Sequence, residues 1–175
     1  NIDAMVGYEA QSSNRQVNYG YGESFPNDKL KTLASAATAY DASQTYTEYT
    51  FASMFMRANY DYKGKYFVSG SIRRDGSSRF GANNRWGNFW SVGGGWLISN
   101  ESFLNGVGFI NSLKIRGSYG TTGNAGIGNF PSVGLYGYGG AYDNRPGGFP
   151  SQVANPNLGW EKQSNFNIGV DFALI

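Results

Sequence analysis

The sequence predicts an all-β chain: an antiparallel transmembrane β-barrel segment of about six strands, with long extracellular loops on one rim. Three observations predict it. Six stretches alternate apolar and polar residues with period two, the pattern of strands whose faces meet different surroundings. The connections between those stretches alternate strictly between long and short, as the two rims of an outer-membrane barrel do. The apolar face carries glycines and rim aromatics where a packed sandwich core would carry branched aliphatics.

The first strand, 2–11, sets Ile2, Ala4, Val6, Tyr8 and Ala10 against Asp3 and Glu9. A long polar segment follows at 12–51. Within it Leu30, Leu33 and Ala37 share a face behind Asp28, which predicts a short capped helix. Strand 52–62 places Ala52, Met54, Met56, Ala58, Tyr60 and Tyr62 opposite Arg57 and Asp61. After a tight join at 63–65, strand 66–73 places Tyr66, Val68, Gly70 and Ile72 opposite Arg73. Pairing Tyr62 with Tyr66 then sets Arg57 against Ser71 and Phe55 against Arg73.

A connection at 74–89 leads to strand 90–98, with Trp90, Val92, Gly94, Trp96 and Ile98 on the apolar side. The join at 99–111 opens with a helical turn at 99–104, capped by Ser99. Strand 112–119 sets Leu113, Ile115, Gly117 and Tyr119 against Lys114 and Arg116. A second long polar segment, 120–159, precedes strand 160–174. There Trp160, Phe166, Ile168, Val170, Phe172 and Leu174 oppose Glu161 and Asp171, and Lys162 is the one charge on the whole apolar face.

The aromatics sort by height: Trp90, Tyr119 and Trp160 toward the long connections, Tyr60, Tyr62, Tyr66 and Phe172 toward the short ones. Two such girdles are expected of a barrel in a bilayer. The competing fold is a secreted β-sandwich that binds glycans, which would bury the apolar face. Six strands cannot close a barrel, and open edges in hydrocarbon leave backbone groups unpaired. The chain is therefore expected to be part of a longer polypeptide or to pair with another. No signal peptide is visible at its start, and residues 1–175 read as part of one barrel domain.

Composition removes several kinds of chemistry. With no Cys and no His among 175 residues, disulfides, Cys/His zinc sites and His-based relays are excluded. The 14 basic and 12 acidic residues form no long run of one sign, which argues against a nucleic-acid surface. The carboxylates are scattered, and Gly126-Ile127-Gly128 lacks the context of a phosphate loop. No catalytic set, metal site or cofactor site is expected, and no enzymatic activity.

Several stretches resemble the SusC/RagA-type TonB-dependent outer-membrane transporters of the Bacteroidetes. They are Lys63-Gly64-Lys65-Tyr66, Ser71-Ile72-Arg73-Arg74-Asp75-Gly76-Ser77-Ser78-Arg79-Phe80-Gly81, Asn84-Arg85-Trp86-Gly87, Trp96-Leu97-Ile98-Ser99-Asn100-Glu101, Leu113 through Asn124, and Asn155-Pro156-Asn157-Leu158-Gly159-Trp160-Glu161 with Asn165-Phe166-Asn167-Ile168-Gly169. Trp90 stands where the resemblance leads one to expect proline. The resemblance implies a barrel of about 22 strands, of which this chain is a C-terminal-half segment in the cell outer membrane. It also implies a plug in the lumen, a TonB complex engaged through a preceding N-terminal part, and a SusD-like surface lipoprotein that delivers glycans or peptides.

Three groups of residues carry the functional expectations. The Tyr/Gly-rich stretch with Tyr136, Tyr138, Tyr142, Arg145 and Phe149, together with Arg79 and Arg85, is the candidate contact for substrate or lid. The alternative is that the aromatics pack on one another and that the arginines bond loop carbonyls. Tyr19, Tyr21, Phe25, Tyr40, Tyr46 and Tyr49 in the first long segment invite the same two readings. Arg57, Asp61, Arg73, Lys114, Arg116, Glu161 and Asp171 form a hydrated lumen wall. Met54, Met56, Val68, Ile72, Val92, Trp96, Ile115, Phe166, Ile168 and Val170 face the lipid bilayer.

Overall fold

A computed structural model describes residues 1–30, 32–104 and 108–174, without the side chains of Ala39 and Tyr40. Eight strands form among the described residues: β1 Ile2–Glu23, β2 Thr38–Tyr62, β3 Tyr66–Ser77, β4 Trp86–Leu97, β5 Ile110–Asn124, β6 Leu135–Tyr142, β7 Arg145–Gln152 and β8 Glu161–Leu174. Six of them make one sheet in the order β1-β2-β3-β4-β5-β8, and β6-β7 make a separate ribbon. The chain divides into two compact units, 12–49 and the remainder (1–11 with 50–175).

In the smaller unit the predicted helix shrinks to a single 3₁₀ turn, Leu33–Ser35, preceded by Thr32 with no side-chain cap. Among the described residues no helix follows Asp28 directly; Asn27 accepts from the Lys29 amide, and Lys31 lies outside the described residues. A helix this short has too few bonds to offset its nucleation cost. Side-chain packing holds the turn: a Cβ at Gly20 would stand 2.7 Å from Leu33 and one at Gly22 2.8 Å from Ala36. Most of 12–51 is strand, the continuation of β1 and β2, because ladder hydrogen bonds are indifferent to whether side chains alternate. Tyr19, Tyr21, Tyr46 and Tyr49 are thus strand residues; Tyr21 donates to Glu23 and Tyr46 to Glu48.

In the larger unit the β2–β3 register is the predicted one, with Tyr62 opposite Tyr66, Arg57 opposite Ser71 and Phe55 opposite Arg73. Lys63 and Gly64 both take positive φ, at 55° and 65°, so the join is a two-residue type I′ turn. The Asp61 carboxylate accepts from the Gly64 amide at 2.8 Å, which places it on the turn instead of on an open wall. β3 and β4 each run about a turn-length beyond expectation, through Ser77 and from Trp86, and β4 passes through Trp90 without interruption.

The apolar face has no second layer on it among the described residues. Val92 is 47% exposed, Ile115 39% and Ile168 74%, which overturns the sandwich alternative. The buried apolar side chains are instead Phe80 and Phe89, at the end of the sheet that carries the long connections. Trp160 belongs with them. It precedes β8, so the strand alternation does not govern it. Its ring lies 4.5 Å from Phe80 and edge-on to Phe51 and Phe89 at 6.1 and 5.4 Å. The expected girdle position of Trp160 is therefore corrected to a small aromatic core.

At the other end, Tyr60, Tyr62, Tyr66 and Trp96 form a ladder of rings with centroids 6.2 to 6.4 Å apart. The 98–104 join is two 3₁₀ turns, Ile98–Asn100 and Ser102–Leu104, with Ser99 inside the first and not capping it. Glu101 between them accepts from Lys65 Nζ at 3.0 Å, Tyr66 Oη at 2.8 Å and Trp96 Nε1 at 3.2 Å. It staples the β2–β3 turn to the β4–β5 connection. The Lys65 bond above all, with those of Tyr66 and Trp96, holds its carboxyl below the ordinary 4.5, against the opposing pull of desolvation.

A depressed folded pKa stabilises at pH above the unfolded value and loses that contribution as pH falls through the folded one. Proteolysis at Lys63 and Lys65 is thus expected to accelerate as pH drops below 4.5. Glu101→Gln is expected to be faster at neutral pH and to lose most of this acid dependence. Cleavage rates insensitive to both changes would refute the staple.

Candidate functional site on the polar wall and the aromatic ribbon

The face opposite the apolar one is a hydrogen-bonded wall. Arg73 is its hub: Nε donates to Asp75 Oδ1 at 2.6 Å, and Nη2 donates to the fully buried Ser53 at 3.0 Å. Glu9 stands 3.7 Å from the same guanidinium, which also lies over the Phe55 ring. Arg57 donates to Asn59, which donates to Asp3; Ser71 and Ser91 share a bond. Arg116 makes a fork to Asp171 at 3.0 and 3.4 Å, and Asn124 donates to Glu161.

Glycines shape this wall. A Cβ at Gly169 would stand 3.1 Å from the Arg116 guanidinium carbon, and one at Gly95 3.3 Å from Lys114 Cε. The two long cations can therefore lie down along the backbone, Lys114 also over the Phe67 ring at 4.8 Å. They border a hollow of about 470 Å³ with Asn59, Ser69 and Asn167. The Arg116–Asp171 pair is more than half exposed, so it contributes solvation and shape more than stability. The seven predicted wall residues thus share one face, with Asp61 committed to its turn. No group of three or more carboxylates close enough to hold a metal occurs among the described residues.

At the long-connection end the 78–85 loop binds segments far along the chain. Gly81 N–H donates to Leu158 O at 2.8 Å and Asn83 N–H to Pro156 O at 3.1 Å. The side chains of Asn83 and Asn84 donate to Asn157, and Trp160 Nε1 donates to Arg85 O. A Cβ on Gly81 would sit 2.1 Å from Pro156 O, so only glycine permits this approach. The Arg79 guanidinium is half-buried and donates to Asn129 Oδ1 and Ala125 O, both at 2.9 Å. Arg85 keeps an exposed side chain while its carbonyl is used.

Between those segments stands the β6–β7 ribbon, in what the sequence reads as unbroken loop. Its Asp143-Asn144 tip has φ of 49° and 57°, again a type I′ turn. That dipeptide, flanked by the alternation Tyr136-Gly137-Tyr138, is the signal that marks the hairpin; Pro146, Pro150 and the glycines obscure it. Tyr138 covers Gly148 on one face and Phe149 covers Gly137 on the other, a cross-strand shielding of bare backbone. Tyr138 and Tyr142 are nonetheless 85% and 86% exposed, and Tyr142 pairs with Arg145 beside the tip. The ribbon thus brings Tyr136, Tyr138, Tyr142, Arg145 and Phe149 together, while Arg79 stands at its base. Asn129, Gln152, Phe80 and Trp160 also build this region, and sequence reading alone does not single them out for it.

Comparison with known proteins yields consistent relatives. The family described as "TonB dependent receptor-like, beta-barrel" matches residues 1–174. The TonB-dependent receptor P39 of Formosa agariphila is 45% identical over 159 residues, 91% of this chain and 15% of that protein. The RagAB peptide transporter superposes with a TM-score of 0.90 at 34% identity, over 99% of this chain and 20% of the matched one. The RagAB peptide importer in its open-open state gives 0.89 at 34% identity, over 99% and 19%. The chain thus spans a fifth or less of the length of these relatives.

Proposed function

The chain belongs to the TonB-dependent receptor-like β-barrel family, and we propose that it forms wall and extracellular loops of an active importer in the outer membrane of a Bacteroidetes-type cell. The observation that carries this reading is the sheet with an uncovered apolar face backed by a hydrated, hydrogen-bonded one. Hydrocarbon satisfies the first face and a water-filled interior the second. Met54, Met56, Val68, Ile72, Val92, Ile115, Phe166, Ile168 and Val170 then contact lipid, and Trp96 anchors the periplasmic interface. Further strands of the same barrel pair the free edges of β1 and β8.

In this reading the wall from Arg57 to Asp171 lines the passage and abuts a plug that force through TonB displaces. A SusD-like surface lipoprotein closes the mouth, and the cargo is a peptide or oligosaccharide. Similarity to a peptide transporter favours peptide. The aromatic ribbon meets cargo or lid, since Tyr136, Tyr138 and Phe149 offer broad faces at low entropic cost.

The test is uptake of labelled oligopeptides and oligosaccharides by cells expressing the full-length receptor with its lipoprotein. Uptake is expected to require TonB and to fall about tenfold in Tyr136→Ala/Tyr138→Ala, as for the loss of two contact aromatics, with unchanged receptor levels. TonB-independent uptake, or a double variant that transports normally, would contradict the two parts of the reading in turn.

A further inference from the structure

We infer that the β3–β4 loop, 78–85, is a clamp that holds both legs of the aromatic ribbon, with Arg79 as its positioning residue. The leg entering β6 is gripped where Arg79 donates to Ala125 O and Asn129 Oδ1. The leg leaving β7 is gripped where Gly81, Asn83 and Asn84 donate to Pro156, Asn157 and Leu158. The legs are tied to each other as well. Gln152 Nε2 donates to Phe130 O and Val133 O at 2.9 and 2.8 Å, and Asn155 N–H to Ser132 O at 3.0 Å.

The loop has its own footing. Ser78 Oγ accepts from the Thr50 amide, and the Ser78 amide donates to Thr50 O. Phe80 plugs into the Phe89–Trp160 core beneath it. Position is thus passed from sheet to loop, and from loop to the ribbon's legs. The ribbon itself is a two-stranded hairpin rich in glycine, of a kind that is marginal alone. A guanidinium suits the entering leg because its rigid planar array of donors reaches two acceptors four residues apart from separate nitrogens, which a compact ammonium matches less well. Arg79 therefore sets where the tyrosines stand and does not itself take the cargo. The functional value of this clamp rests on the proposal that the ribbon meets cargo or lid.

The experiment is hydrogen exchange by mass spectrometry on the full-length receptor in detergent, with uptake measured in parallel. In Arg79→Ala, exchange across 125–142 is expected to speed up about tenfold, as for the loss of two charge-assisted bonds. Exchange in 66–77 and 110–124 should stay as in the parent. Arg79→Lys should restore part of the protection. If Arg79→Ala does not assemble, Asn129→Ala removes one acceptor outside the clamp loop and should give the same local pattern at smaller amplitude.

Unchanged exchange in the ribbon, or acceleration spread equally over β3 and β5, would overturn the clamp. So would a loss of uptake in Arg79→Ala with the ribbon still protected, which would make Arg79 a contact. A ribbon loosened in Arg79→Ala while Tyr136→Ala/Tyr138→Ala transports normally would support the clamp and sink only the binding role of the ribbon.

Discussion

Ile168→Arg in the full-length receptor is expected to collapse the folded fraction in the outer membrane, while Ser69→Asp leaves it close to parental. Ile168 is 74% exposed on the apolar face and pairs with Gly117 on β5, which offers no side chain to shelter a charge. An arginine at the bilayer midplane costs about 2–4 kcal/mol, a large share of ordinary stability. Val92→Asp should act in the same direction but more weakly, because acidic residues cost less there. Ser69 lies on the opposite face beside Lys114 and Asn167, where a carboxylate meets water and a cation. Heat-modifiable mobility on gels, with urea titration in liposomes, reads the folded fraction. Equal tolerance at the three positions would mean that the faces have been assigned the wrong way round or that neither meets lipid.

Phe80→Ala is expected to unfasten the long-connection end while leaving the sheet paired. Phe80 is 1% exposed and its ring lies tilted against Trp160 with centroids 4.5 Å apart; truncating a buried phenylalanine costs about 3–5 kcal/mol. That exceeds what a few loop hydrogen bonds supply, so 78–85 and 155–160 should open together. Trypsin should then cut after Arg79 and Arg85 about a hundredfold faster, with heat-modifiability retained. Gly81→Ala should do likewise by a different cause, since its methyl would collide with Pro156 O. Slow cleavage in both variants would mean that the aromatic core and the close approach do not hold the loop.

The sheet was largely legible in the sequence. Period-two alternation at Met54, Val68, Val92, Ile115 and Ile168 reports a sheet with one apolar and one polar face, and the Lys63-Gly64 turn fixes the β2–β3 register. The strand ends were not legible. Beyond Arg73 and before Trp90 the pairing continues on backbone bonds while the side chains stop alternating. The helix expected behind Asp28 failed because local spacing was its sole support. The β6–β7 ribbon hid behind prolines and glycines whose usual meaning is loop.

The candidate site divides along the same line. The wall residues Arg73, Lys114, Arg116 and Asp171 follow from alternation alone, because a strand side chain has two directions to choose from. The base of the ribbon does not. Arg79 admits both a ligand-contact and a loop-bonding reading until its bonds to Ala125 and Asn129 are seen, and Trp160 reads as a girdle residue until Phe80 appears beneath it.

By itself, then, the sequence determined which face is apolar and which is polar, a local consequence of a two-residue period, and how β2 aligns with β3, a consequence of the tight turn between them. Only the tertiary structure decided that loop 78–85 meets 125–129 and 155–160. Contacts across 46 to 77 residues leave no periodic trace, and they form because a glycine, an arginine and two asparagines arrive at the same place.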